Sequence, residues 1–137
     1  MDTPIRVFLA DGYLSMRDAL RALITTAQDM EVVGESANSL EIIEQALRLQ
    51  PDVIVLDLSL LKHESIIPIV SGFKILPRTQ FLLLTNEMSK REISAAIDAG
   101  VKGYLPKGTA APEILRAIRT LHRGESVYDP AIMADIL

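Results

Sequence analysis

The chain has 137 residues, 49% hydrophobic and 23% charged, enough for one hydrophobic core and too few for two full domains. A formal charge of −4 with no Lys/Arg-rich run argues against nucleic-acid binding by this stretch, and no apolar run reaches the roughly 18 residues of a membrane span. Zero cysteines exclude disulfides, thiolate metal sites and a cysteine nucleophile, and Met1-Asp2-Thr3-Pro4 lacks a signal-peptide core, so the expected location is the cytoplasm.

In chain order, strand and helix signals alternate. Ile5 to Ala10 is a short apolar run ended by Asp11-Gly12. From about Ser15 to Gln28, Met16, Ala19, Leu20, Leu23, Ile24 and Ala27 fall on one helical face. Met30 to Glu35 predicts a second strand, centred on Val32-Val33 and weakened by Gly34. Asn38 with Glu41 three residues on comes close to a capping box, opening a helix whose buried stripe is Ile42, Ile43, Ala46 and Leu47. After the turn signal Gln50-Pro51-Asp52, the run Val53-Ile54-Val55-Leu56 predicts a strand buried on both faces, and it ends at Asp57.

The next stretch is less regular. Leu58 to Glu64 reads as a loop, followed by a helix from near Ser65, with Pro68 tolerated in its first turn, Gly72 weakening it and Pro77 ending it. Phe81 to Leu84 is another buried strand, stopping at Thr85-Asn86. Ser89-Lys90-Arg91-Glu92 is a capping box for a helix carrying Ile93, Ala96 and Ile97, with Gly100 as its stop. Val101 to Leu105 is the fifth strand, followed by Pro106-Lys107-Gly108. Pro112 opens the last helix, whose stripe is Ile114, Leu115, Ile118 and Leu121, and Gly124 follows it.

Five strands alternating with five helices predict a doubly wound α/β fold with a parallel sheet, because each right-handed crossover needs a helix. With strand order 2-1-3-4-5 the order reverses between strands one and three, and ligands bind at such a switch point. Asp11, Asp57, Thr85 and Lys107 all stand at carboxyl ends of strands. Two carboxylates, a hydroxyl and an ammonium are therefore predicted to meet in one cleft.

These residues carry a resemblance. The chain resembles the receiver domain of bacterial response regulators, of the NarL/LuxR/FixJ kind, with its flavodoxin-like (βα)5 fold. The likeness rests on Ile5 to Asp11, Val32-Val33-Gly34-Glu35, Pro51 to Leu58, Leu84-Thr85, Ala99 to Lys107, and Gly124 to Pro130. It implies a two-component switch in which Asp57 accepts a phosphoryl group from a phosphohistidine on a sensor histidine kinase. It implies Mg²⁺ held by Asp11, Asp57 and the backbone carbonyl of Ser59, with Lys107 pairing first with the aspartate and then with the phosphoryl group. Thr85 and Tyr104 would be the switch pair, Tyr104 turning inward as Thr85 moves to the phosphoryl oxygen; Tyr104 also fits an ordinary half-buried strand aromatic.

The chain departs from the family at two places. Relatives carry two adjacent acidic residues after strand one; here Asp11-Gly12 stands, which predicts weakened Mg²⁺ binding. Relatives have Met-Pro-Gly after the acceptor; here Leu60-Leu61-Lys62 stands, followed by His63 and Glu64, and Lys62 or His63 would add positive charge. An alternative reading follows, a degenerate receiver serving as a phosphorylation-independent dimerisation or docking module. A third, a haloacid-dehalogenase-type phosphatase, needs a second aspartate two residues after the first, where Ser59 stands, and no enzyme is expected.

Residues 1–124 are expected to be the receiver domain, and residues 125–137, from Glu125 through Tyr128-Asp129-Pro130, the start of a linker. By the same resemblance, DNA would be bound only through a C-terminal domain of the parent, and a homodimer would use the face of helices one and five. No membrane partner is expected.

Overall fold

The computed structural model describes residues 3–61, 66–71, 78–85, 90–131 and 134. In order, these form β1 (Ile5–Ala10), α1 (Leu14–Thr26), β2 (Met30–Ser36), α2 (Ser39–Leu49), β3 (Val53–Asp57), a 3₁₀ turn (Leu58–Leu61), α3 (Ile67–Ser71), β4 (Gln80–Leu84), α4 (Lys90–Asp98), β5 (Gly103–Leu105), α5 (Ala111–His122) and β6 (Val127–Tyr128). Ser65, Gly72 and Pro77 of the third predicted helix, Ser89 of the capping box and the loop residues Lys62, His63 and Glu64 lie outside the described residues.

All strand pairs are parallel, in the order β2-β1-β3-β4-β5-β6. The five predicted strands hold the predicted order, and β6 adds a sixth within the segment expected to begin the linker. Its two residues are too short a run to carry a periodic signal.

Side chains alternate between two cores because the strand period is two. Phe8, Ala10, Ile54, Leu56, Phe81 and Leu83 pack on one face with α2, α3 and α4 residues. Val7, Leu9, Val53, Val55, Leu82 and Leu84 pack on the other with α1 and α5. Central strands covered on both faces are what make β3 and β4 continuous apolar runs.

Two local expectations are corrected. Met16 and Ala19 are exposed, because α1 buries Leu20 and Ile24 in its later turns while its first turns sit at the strand-end rim. Leu47 is 41% exposed, since one step past Ala46 turns it by about 100° off the inward face. Gly34 marks a close approach: a Cβ there would lie 2.7 Å from Leu49 Cδ1 and 3.0 Å from the Phe8 ring. The β1–β2 register shifts beside it, between Val7 and Phe8. At α2, Asn38 caps the start by accepting from Leu40 N at 2.8 Å. Gln50 closes the end at φ 49°, and Arg6 Nη1 donates to the carbonyls of Leu49 and Gln50 at 2.6 and 2.9 Å.

Candidate functional site

At the carboxyl end of the sheet, β1 delivers Asp11 and β3 delivers Asp57, on strands that pair directly. The two carboxylates, 1% and 2% exposed, flank the reversal of strand order. Asp57 Oδ1 accepts from Ser59 N at 3.0 Å, a turn that starts the 3₁₀ segment Leu58–Leu61 where the sequence predicted an irregular loop.

Lys107 approaches from the turn after β5. Thr109 closes that turn on Pro106 O through its amide at 3.2 Å and its hydroxyl at 2.6 Å. Lys107 Nζ stands 2.7 Å from Asp57 Oδ2 and donates to Ser59 Oγ at 3.3 Å. It also lies 5.9 Å from the centroid of the exposed Tyr13 ring. The hydrogen bond to Asp57 raises its pKa, so the ammonium is firmly held.

Asp11 differs from Asp57 in forming no ion pair with any of the described residues. Its Oδ1 accepts from Tyr13 N at 2.9 Å, while Oδ2 is buried and accepts no hydrogen bond from the described residues. Burial pushes its carboxyl above the usual carboxylate range; the Tyr13 amide opposes this, the neighbouring Asp57 adds to it through its charge and through a carboxyl–carboxyl hydrogen bond, and Lys107 draws it back. A buried carboxylate oxygen with no donor, beside a second carboxylate, suits a hard cation, and the Ser59 carbonyl would be the third protein oxygen. Gly12 supplies no ligand, and a Cβ there would meet nothing within 4 Å.

Thr85 follows β4 and is half-buried, its amide donating to Leu105 O at 3.2 Å. It lies one residue beyond Leu84, the register partner of Asp57. Tyr104 is 1% exposed on β5, fully buried where a half-buried aromatic was one expectation. Burial, then the charge of Glu92, raises its phenol pKa.

Sequence reasoning missed Arg17, Glu35 and the Ser59 hydroxyl. Arg17 Nη1 donates to Asp11 O at 2.6 Å and its Nε to Glu35 Oε1 at 3.2 Å. Glu35 sits in register beside Leu9 on β1, and only that pairing brings it near the Arg17 helix.

The receiver domain model of response regulators matches residues 7–119. The chain is 36% identical over 129 residues to the response regulator protein VraR of Staphylococcus aureus, covering 94% of this chain and 62% of that protein. The chain thus spans about three-fifths of the length of the curated relatives it matches. Among solved structures, a LuxR-family two-component response regulator from Aurantimonas sp. SI85-9A1 superposes with a TM-score of 0.85 at 25% identity, covering 98% of this chain and 96% of that one. The isolated receiver domain of RcsB from Salmonella enterica serovar Typhimurium superposes at 0.83 with 21% identity, covering 98% of this chain and 100% of that one. At that identity the second likeness speaks for the fold alone. With its sheet order, its paired aspartates and the match over residues 7–119, this chain belongs to the response regulator receiver domain family of two-component signal transduction.

Proposed function

We propose that Asp57 is the phosphoryl acceptor of this receiver domain. One observation carries the reading: a buried carboxylate at the switch point, held between the Ser59 amide and the Lys107 ammonium, beside a second carboxylate with an unpartnered oxygen. A carboxylate oxygen of Asp57 attacks the phosphorus of a phosphohistidine on a sensor histidine kinase. The P–N bond breaks as the new P–O bond forms, and the imidazole nitrogen keeps the electron pair and takes a proton. Lys107 then transfers its charge–charge contact from the free carboxylate to a phosphoryl oxygen, and the Ser59 hydroxyl orients the ammonium.

Asp11, Asp57 and the Ser59 carbonyl would hold Mg²⁺, which supplies charge neutralisation on the transferring group. With glycine at position 12 these oxygens would hold the ion more weakly than a site with a carboxylate there. Thr85 and Tyr104 form the switch pair, and the buried position of Tyr104 favours reading it as the residue that reshapes the α4–β5–α5 face.

We assign residues 1–124 to the receiver unit and residues 125–137 to the passage toward a further domain of a longer cytoplasmic parent, a passage whose first part, β6, still pairs with β5. RcsB dimers have been solved bound to DNA; by that likeness the parent binds DNA through a C-terminal domain, and this chain homodimerises on its α1–α5 face. That face carries a hollow of about 500 Å³ lined by Leu23, Leu115 and Arg119 among others.

Intact-mass measurement after incubation with acetyl phosphate tests the acceptor. The parent chain gains one phosphoryl group in the presence of Mg²⁺, and Asp57→Asn gains none. Equal gain in both would remove Asp57 from the role.

A further inference from the structure

Asp11 is held at more points than a loop residue needs. Its amide donates to Ser36 O at 3.1 Å, its Oδ1 accepts from Tyr13 N, and its carbonyl accepts from Arg17 Nη1 at 2.6 Å. The residue after it is glycine, the residue with the most conformational freedom to lose, so the turn into α1 depends on the contacts that hold Asp11. Tyr13 gives α1 no side-chain cap. The side-chain contact that ties this turn to the helix comes from Arg17, one helical turn into α1, reaching back to the Asp11 carbonyl.

Arg17 is itself braced. Its side chain is 14% exposed, and Glu35 Oε1 accepts from its Nε. The other Glu35 oxygen binds Arg21 through both Nε, at 2.6 Å, and Nη2. Glu35 is anchored by the β1–β2 pairing. The chain of contacts runs from β2 through Arg17 to the Asp11 backbone, and on that same residue Oδ2 is a buried carboxylate oxygen that accepts no hydrogen bond from the described residues.

We propose that Arg17 is the positioning residue of the cation site: braced by Glu35, its guanidinium fixes the Asp11 backbone so that Oδ2 is presented beside Asp57. This rests on the reading of Asp11 and Asp57 as the Mg²⁺ carboxylates. Because Gly12 supplies no second carboxylate, the affinity of the site depends on how well the remaining one is preorganised. Outer contacts of this kind alter metal affinity without touching the ion.

The test uses the full chain and the variants Arg17→Met, Arg17→Lys and Glu35→Gln, the last keeping the side-chain shape should Arg17→Met fail to fold. Mg²⁺ affinity is read from amide chemical shifts at Ser59, Tyr13 amide exchange is read without metal, and the urea midpoint serves as control. Arg17→Met and Glu35→Gln weaken Mg²⁺ binding by about tenfold or more. They also speed Tyr13 amide exchange beyond the change in central-strand amides such as Leu56, with Arg17→Lys intermediate. Variants that lose stability yet keep Mg²⁺ affinity within about twofold and Tyr13 protection would make Arg17 a brace for α1 only, and the proposal falls. A parent chain with no Mg²⁺-dependent shift at Ser59 overturns the cation reading itself, and the proposal with it.

Discussion

Lys107 Nζ and Asp57 Oδ2, 50 residues apart in the chain, meet at 2.7 Å with the carboxylate almost wholly buried. Removing the ammonium leaves Asp57 beside Asp11 with, among the described residues, the Ser59 amide as its hydrogen-bond donor. Lys107→Met is expected to lower stability by about 1–3 kcal/mol, the cost of a buried acceptor left without its partner. The double variant Asp57→Asn/Lys107→Met recovers part of that loss, giving a coupling energy of about 0.5–3 kcal/mol in a cycle of urea midpoints. Strictly additive single effects would show that the two groups do not interact in solution.

The same pocket predicts a reciprocal effect at Gly12. Among the described residues nothing lies within 4 Å of a Cβ there, so a side chain can leave the backbone at this position without a clash. Without divalent cation, a third carboxylate beside Asp11 and Asp57, as in Gly12→Asp, adds to the repulsion already acting on Asp11, and stability falls. With Mg²⁺ at about a hundred times its Kd, binding returns about 2.7 kcal/mol. Thermal melts with and without Mg²⁺ measure both. A Mg²⁺-induced rise no larger in Gly12→Asp than in the parent would show that position 12 does not limit the site.

What was legible in the sequence, and what was not, follows from where each signal resides. Val53 to Leu56 and Phe81 to Leu84 announce themselves because a strand covered on both faces has no polar alternation. Asp11, Asp57, Thr85 and Lys107 were visible as candidates because each stands at the carboxyl end of a predicted strand. Arg17 and Glu35 were invisible as a pair, since an arginine on a helix and a glutamate on a strand look solvated until β1–β2 register joins them. Met16 and Leu47 misled because residue type states a preference for burial, and only packing decides it.

Asp29 and Arg119 tie the loop before β2 to α5 through two contacts, Nε to Oδ2 at 2.6 Å and Nη2 to Oδ1 at 3.0 Å. The Arg119 hydrogen bond holds the Asp29 carboxyl below the usual range. A depressed native pKa contributes stability above the unfolded value of about 3.9, and this is lost as pH falls through the native value. Both side chains are well exposed, so the gain stays under about 1 kcal/mol and shrinks with salt. The stability gap between parent and Asp29→Asn should therefore be flat near neutral pH and close in the acid range. A gap that widens on acidification would contradict the assignment.

The last relationship concerns where the domain stops. Val127 N donates to Lys102 O at 2.7 Å and Asp129 N to Tyr104 O at 3.2 Å, so the chain past α5 returns to cover the edge of β5. Val127 packs against the α1–α5 core and Tyr128 against the α2–α3–α4 core, its hydroxyl donating to Val101 O at 2.8 Å. A segment that uses both faces and shares a ladder should unfold with the sheet. Val127→Pro deletes the first ladder donor and Tyr128→Phe the hydroxyl bond, each expected to cost about 1 kcal/mol in the urea midpoint. Val127→Pro should also expose the β5 edge, an unpaired strand edge that promotes self-association, detectable by size-exclusion chromatography. If both variants leave the midpoint unchanged, the folded unit ends at Gly124 and the sixth strand is only laid against it. If both lower it, the receiver unit extends through Tyr128, and a further domain would be joined to a strand that pairs directly with Tyr104.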